Sequence, residues 1–161
     1  MITKQQLTKL YHWGKKTIFP LKKEGITSKY MGYDVFVSYA KYGKKQKRYR
    51  KKLFDDDIYE IIKNDEIYGV AYMKYSPHID AKPHKDFNLW GKDFLRIQIP
   101  LKIPQGNKCY IEFIETGERF YWQEEKVEIF NVEKLHQGKN ESDETMEFLY
   151  VDIKMDTKVE L

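Results

Sequence analysis

Two of the chain's four histidines share one short stretch, Ser76-Pro77-His78-Ile79-Asp80-Ala81-Lys82-Pro83-His84-Lys85-Asp86, and each precedes an aspartate by two residues. On an extended backbone, residues i and i+2 project from the same face. An imidazole and a carboxylate at that spacing can reach one ion. A third ligand must come from elsewhere in the chain. Two histidines and one carboxylate on one face of an ion, with the opposite positions open, are the donor set of non-haem Fe(II) oxygenases. His136, in the segment before the last strand-like run, is the third donor this reading expects.

A positively charged side chain in an apolar run is the second chemical signal. Residues 93–101 alternate well, with Leu95, Ile97, Ile99 and Leu101 on one face and Phe94, Arg96, Gln98 and Pro100 on the other. A guanidinium mid-strand must meet an anion or polar partners, because an unpaired buried charge is very costly. Its best match is a bidentate carboxylate. Either a protein aspartate or glutamate or a bound acid would serve.

The elements that must position these groups are mostly β. Residues 67–75 are aromatic and β-branched. Residues 109–115 and 118–122 flank Thr116-Gly117, a two-residue hairpin signal. Residues 126–130 and 147–154 make two further strands, with His136 in a loop between them. Several short strands separated by turn signals indicate a sandwich or barrel. The expected fold is mainly β, a jelly roll. Before it, Thr3 and Gln6 form a capping box. Leu7, Leu10 and Tyr11 then share one face of a short helix that Gly14 would end. Residues 34–40 read as a strand, and residues 57–62 as a brief helix capped by Asp57. The 161 residues form one domain, with residues 1–65 covering a core of residues 66–155.

Bulk properties narrow the classes further. The chain has one cysteine, Cys109, so no intrachain disulfide is possible and a reducing, cytoplasmic setting is expected. No apolar stretch approaches the ~20 residues of a membrane span, and the first residues do not resemble a secretory signal. No Ser/His/Asp or Cys/His pattern, phosphate-cradling glycine loop or zinc-type cysteine cluster stands out. Residues 44–52 carry seven basic side chains in nine. Such a run can bind phosphate backbones through charge alone, with Lys47, Arg48 and Arg50 as contacts to nucleic acid or an acidic partner. A non-catalytic jelly-roll module using that run is the alternative function. A cupin-like metal protein without an oxo-acid co-substrate is a third.

An ordered set of segments resembles the aspartyl/asparaginyl β-hydroxylase family of Fe(II)/2-oxoglutarate-dependent oxygenases. The segments are Pro83-His84-Lys85-Asp86, Leu95-Arg96-Ile97-Gln98-Ile99-Pro100-Leu101, Glu125-Lys126-Val127-Glu128-Ile129-Phe130, then His136, Asn140 and Phe148-Leu149-Tyr150-Val151-Asp152-Ile153. The resemblance implies a double-stranded β-helix, Fe(II), 2-oxoglutarate and O2. It implies hydroxylation of a peptide side chain, amino acid or other small molecule, with 2-oxoglutarate decarboxylated to succinate. By position, His84, Asp86 and His136 match the metal ligands. Arg96 matches a residue that contacts 2-oxoglutarate, with Gln98 and Tyr150 beside it as further co-substrate contacts. Two positions depart from the pattern. Gln98 stands where the family has histidine, and Met146 stands where it has the arginine that holds the distal carboxylate.

Spacing alone does not choose between His78-Ile79-Asp80 and His84-Lys85-Asp86. Pro83 favours the second, because it fixes its own φ and biases Lys82 towards extended backbone. The twelve residues from His84 to Arg96 also suffice for a strand end, a turn at 88–92 and entry to the next strand. His84 and Asp86 are therefore the expected pair.

Overall fold

The computed structural model describes residues 1–21, 28–30, 33–42, 53–86 and 89–161. The basic run at 44–52, with Lys47, Arg48 and Arg50, lies outside the described residues, as do residues 87 and 88 of the expected turn.

Ten strands and two helices make up the described chain: α1 (Lys4–Leu21), β1 (Ser28–Tyr30), β2 (Tyr33–Ala40), α2 (Asp56–Ile62), β3 (Ile67–Tyr75), β4 (Ile79–Asp80), β5 (Phe94–Lys102), β6 (Cys109–Phe113), β7 (Glu118–Tyr121), β8 (Glu128–Phe130), β9 (His136–Asn140) and β10 (Met146–Lys154). They form a six-stranded sheet in the order β1-β2-β3-β10-β5-β8 and a four-stranded sheet in the order β4-β9-β6-β7. Every strand pair in the two sheets is antiparallel. The sheets face one another and the helices cover the outer face of the larger one. This is a mainly β, double-stranded β-helix (jelly-roll) architecture.

Strand parity sorts the side chains into two apolar layers. On β5 and β10, Ile97, Ile99, Leu149, Val151 and Ile153 pack outwards against Leu7, Leu10 and Trp13 of α1 and Ile58, Ile61 and Ile62 of α2. The other faces turn inwards, where Phe94, Met146, Phe148 and Tyr150 meet Ile111 and Phe113 of β6. Both faces of the central strands are thus dry, which is why β10 is buried from Met146 to Ile153. Each fully buried aliphatic side chain contributes about 1.5–3 kcal/mol. Inward-facing polar groups must find partners there.

Local signals explain where the helices begin, and packing explains where they extend. The Gln6 amide donates to Thr3 Oγ1, and the Thr3 amide donates back to Gln6 Oε1, the reciprocal bonds of a capping box. Gly14 does not stop α1, which runs on to Leu21. It lies where the helix crosses β5, and a Cβ there would come within 3.1 Å of the Leu101 side chain. The glycine serves close approach to the sheet. The cap of α2 is Asp55, whose side chain accepts from the Ile58 amide. The β6–β7 connection is a four-residue turn, because Phe113 pairs with Glu118. Its last residue, Gly117, has a φ of +69°, a conformation open to glycine at little cost.

Candidate metal centre

The segment after β4 runs antiparallel along β9 and carries the His-x-Asp motif with it. Asp80 pairs with Lys139, the Ala81 amide donates to the Gly138 carbonyl, and His84 and His136 exchange both backbone hydrogen bonds at 2.9 Å. The Asp86 amide then donates to the Val132 carbonyl at 2.9 Å. Residues 52 positions apart in sequence are thereby placed directly opposite. The two imidazole rings lie 4.6 Å apart between centres. Their register, together with the i, i+2 spacing, brings His84, Asp86 and His136 onto one spot.

Both rings are held in the tautomer a metal needs. His84 Nδ1 lies 2.8 Å from the Lys82 carbonyl oxygen, and His136 Nδ1 lies 2.8 Å from that of Lys134. A carbonyl oxygen can only accept, so each Nδ1 carries the proton and each Nε2 keeps its lone pair. Those Nε2 atoms face Asp86, at 3.5 Å from Oδ1 for His84 and 3.8 Å from Oδ2 for His136. One donor atom from each residue lies within 4.8 Å of the others. An octahedral ion with donors about 2.1 Å away sets neighbouring donors about 3 Å apart, so small side-chain rotations close the set. Burial holds the His136 imidazole below its ordinary pKa, against the opposing pull of the Lys134 carbonyl and Asp86. The residues present therefore fit a divalent metal bound by two neutral imidazoles and one carboxylate.

Arg96 meets two protein carboxylates. Its Nε and Nη2 donate to the two oxygens of Asp152 at 2.7 and 2.9 Å, and Nη1 donates to Asp86 Oδ2 at 2.5 Å. Asp152 sits directly opposite Arg96 in the β5–β10 register. It also accepts from the Trp90 indole at 3.0 Å. The guanidinium carbon stands 3.9 Å from the centre of the Tyr150 ring, a cation–π contact in a dry setting. Burial pulls the Arg96 pKa down, but Asp152 and Asp86 outweigh it and hold the guanidinium charged. Among the described residues, three of its five N–H groups find partners.

Gln98 and Tyr150 also line the interior. Gln98 Oε1 accepts from the Trp122 indole at 2.6 Å, which leaves its amide NH2 group facing the interior. Tyr150 is buried beneath Arg96. His78 is elsewhere: it is exposed, has a φ of +58°, and its Nε2 lies 2.7 Å from Asp143 Oδ1. Asp80 pairs with Lys139 on the outer side of the small sheet. The structure thus brings His84, Asp86, His136 and Arg96 together and leaves the other His-x-Asp pair apart. Asp152 and Trp90 escaped the sequence reading. The signal for Asp152 was its parity, since it shares the inward face of Phe148 and Tyr150.

Gly138, between His136 and Asn140 on β9, is fixed by space. A Cβ there would lie 2.4 Å from the Tyr75 hydroxyl oxygen. Tyr75 cannot withdraw, being stacked on Tyr33 and set edge-on to Trp122 and Phe148. Gly138→Ala is expected to lower stability by about 1–3 kcal/mol, the usual range for overpacking, read as a shift in urea midpoint. A midpoint unchanged within error would show that Tyr75 has room to move.

A sequence profile of the family described as aspartyl/asparaginyl beta-hydroxylase matches residues 10–155. No curated protein matches the chain by sequence. Among solved structures, the viral collagen prolyl hydroxylase vCPH of Paramecium Bursaria Chlorella virus-1, in its 2OG complex, shares 14% identity. It aligns over 89% of this chain and 90% of its own, with a TM-score of 0.57. The plu4264 protein of Photorhabdus luminescens shares 15% identity over 81% of this chain and 82% of its own, with a TM-score of 0.50. At these identities the structural likeness speaks for the fold, while the profile spans most of the sequence. The chain belongs to the aspartyl/asparaginyl β-hydroxylase family.

Proposed function

We propose that this chain is a non-haem Fe(II) oxygenase that hydroxylates a C–H bond of its substrate at the expense of a 2-oxo acid, for which 2-oxoglutarate is the family's co-substrate. One observation carries the reading. Two imidazole Nε2 atoms and one carboxylate converge within 4.8 Å, each imidazole locked by its own backbone carbonyl. That is the protein half of a facial triad. A peptide side chain or an amino acid is the substrate class in keeping with the family, with other small molecules next.

Fe(II) bound there would supply the activation of O2, one oxygen atom going to the oxo acid as it loses CO2 and the other to the substrate as a hydroxyl. His84, Asp86 and His136 hold the ion. Their backbone pairing across β9 sets the distances before any metal arrives, so little reorganisation accompanies binding. Arg96 fixes the Asp86 carboxylate through Nη1. Its two N–H groups that meet no described residue would take a carboxylate of the oxo acid, with Tyr150 and the Gln98 amide along the same wall. The inward faces of the two sheets are aromatic and apolar around the ion, which excludes water from the reaction.

Anaerobic addition of Fe(II) and a 2-oxo acid to the protein is expected to give a weak visible charge-transfer band, because the band requires the acid to chelate the iron. Its absence with every oxo acid tried, while iron stays bound, would leave a metal protein without this chemistry.

No helix among the described residues is long and apolar enough to cross a membrane. The nucleic-acid alternative rests on residues 44–52, which lie outside the described residues.

A further inference from the structure

We infer that the oxo acid this site prefers has an uncharged tail and that 2-oxoglutarate binds it poorly. The inference rests on the function proposed above and concerns which acid serves it. Among the described residues, Arg96 is the only buried lysine or arginine. It is already engaged by Asp152 through two hydrogen bonds and by Asp86 through one. With a divalent ion in place, the ion and Arg96 set against Asp86 and Asp152 leave one net positive charge in the interior. A 2-oxo acid with one carboxylate neutralises it. A dicarboxylate adds a second negative charge that no buried cation among the described residues opposes, and a desolvated charge without a partner is strongly disfavoured.

The interior beyond the metal agrees with this count. Along β10, the inward residues after Asp152 and Tyr150 are Phe148 and Met146, both fully buried. Trp122 stacks on Phe148 with ring centres 5.5 Å apart. Tyr75 closes on both rings edge-on, at 6.2 and 5.8 Å. The Trp122 indole N–H, the donor an anion could have used, is already given to Gln98. What faces a tail directed between the sheets is therefore aromatic surface, a thioether and neutral polar groups, the Gln98 amide and the Tyr75 hydroxyl, with no second cation among the described residues. Aromatic faces carry the negative side of the ring quadrupole and repel a carboxylate. An alkyl tail gains by covering them.

The test uses the whole chain, loaded anaerobically with Fe(II) and titrated with 2-oxobutyrate, 4-methyl-2-oxopentanoate and 2-oxoglutarate, reading the visible charge-transfer band. At least one acid with an uncharged tail is expected to bind at least tenfold more tightly than 2-oxoglutarate. Adding that acid at about a tenth of the 2-oxoglutarate concentration should displace at least half of the bound 2-oxoglutarate. Equal or tighter binding of 2-oxoglutarate overturns the inference and leaves the oxygenase reading standing. A band with none of the three, while iron is retained through gel filtration, overturns both.

Discussion

His84→Ala and His136→Ala each weaken Fe(II) binding by at least about a hundredfold, while His78→Ala leaves it within about twofold. The expected losses exceed the 10–100-fold typical of disturbing a group behind a metal ligand, because each change removes a proposed ligand itself. The contrast comes from position. His84 and His136 face one another across a shared pair of backbone hydrogen bonds, with their Nε2 atoms turned on Asp86. His78 is exposed, on a turn, beside Asp143. His136 is buried with its ring 6.1 Å from that of Phe113, so the circular dichroism of each variant is matched to the parent before iron is scored. Iron retained after desalting is the readout. Strong loss in His78→Ala with normal binding in His84→Ala would move the centre to the other His-x-Asp pair.

Asp152→Ala and Arg96→Met are each expected to cost about 3–5 kcal/mol of stability, while the double variant Arg96→Met/Asp152→Leu costs less than either. Removing one partner leaves the other charged and buried. Asp152 is wholly inaccessible, and Arg96 nearly so. Removing both leaves apolar groups that the surrounding Phe94, Tyr150 and Trp90 can pack against. Urea midpoints measure the stability. Iron affinity measures something separate, since Arg96 also donates to Asp86. The double variant should fold well yet bind Fe(II) more weakly than the parent, because Asp86 has lost the donor that orients it. Single variants that cost under about 1 kcal/mol would show that the network is solvated or relaxes freely. A double variant with undiminished iron affinity would leave Arg96 with a purely structural role.

The local chemistry of this chain was legible in order and spacing. Strand alternation in residues 94–102 separates Arg96 and Gln98 from the aliphatic face because the side-chain period of a strand is two, whatever its neighbours are. The reciprocal cap at Thr3 and Gln6 is a contact within one helical turn. The His-x-Asp spacing likewise states that two donors can share a face. Family resemblance orders these pieces into a candidate metal site.

Tertiary structure decided the rest, where the outcome depended on residues far apart in the chain. Strand β9, His-Gln-Gly-Lys-Asn, has no apolar alternation to announce it, and it exists because its backbone groups pair with β6 on one side and β4 on the other. That pairing lifts His136 out of a loop and onto the sheet. Gly14 resembles a helix stop in isolation, yet it serves a close crossing with Leu101, which only the packed sheet supplies. The partner of Arg96 was open between a protein carboxylate and a bound acid. The β5–β10 register settled the first part by placing Asp152 opposite it. A side chain's face follows from local backbone geometry, but its partner follows from register, and register is set by how whole strands bury their apolar faces together.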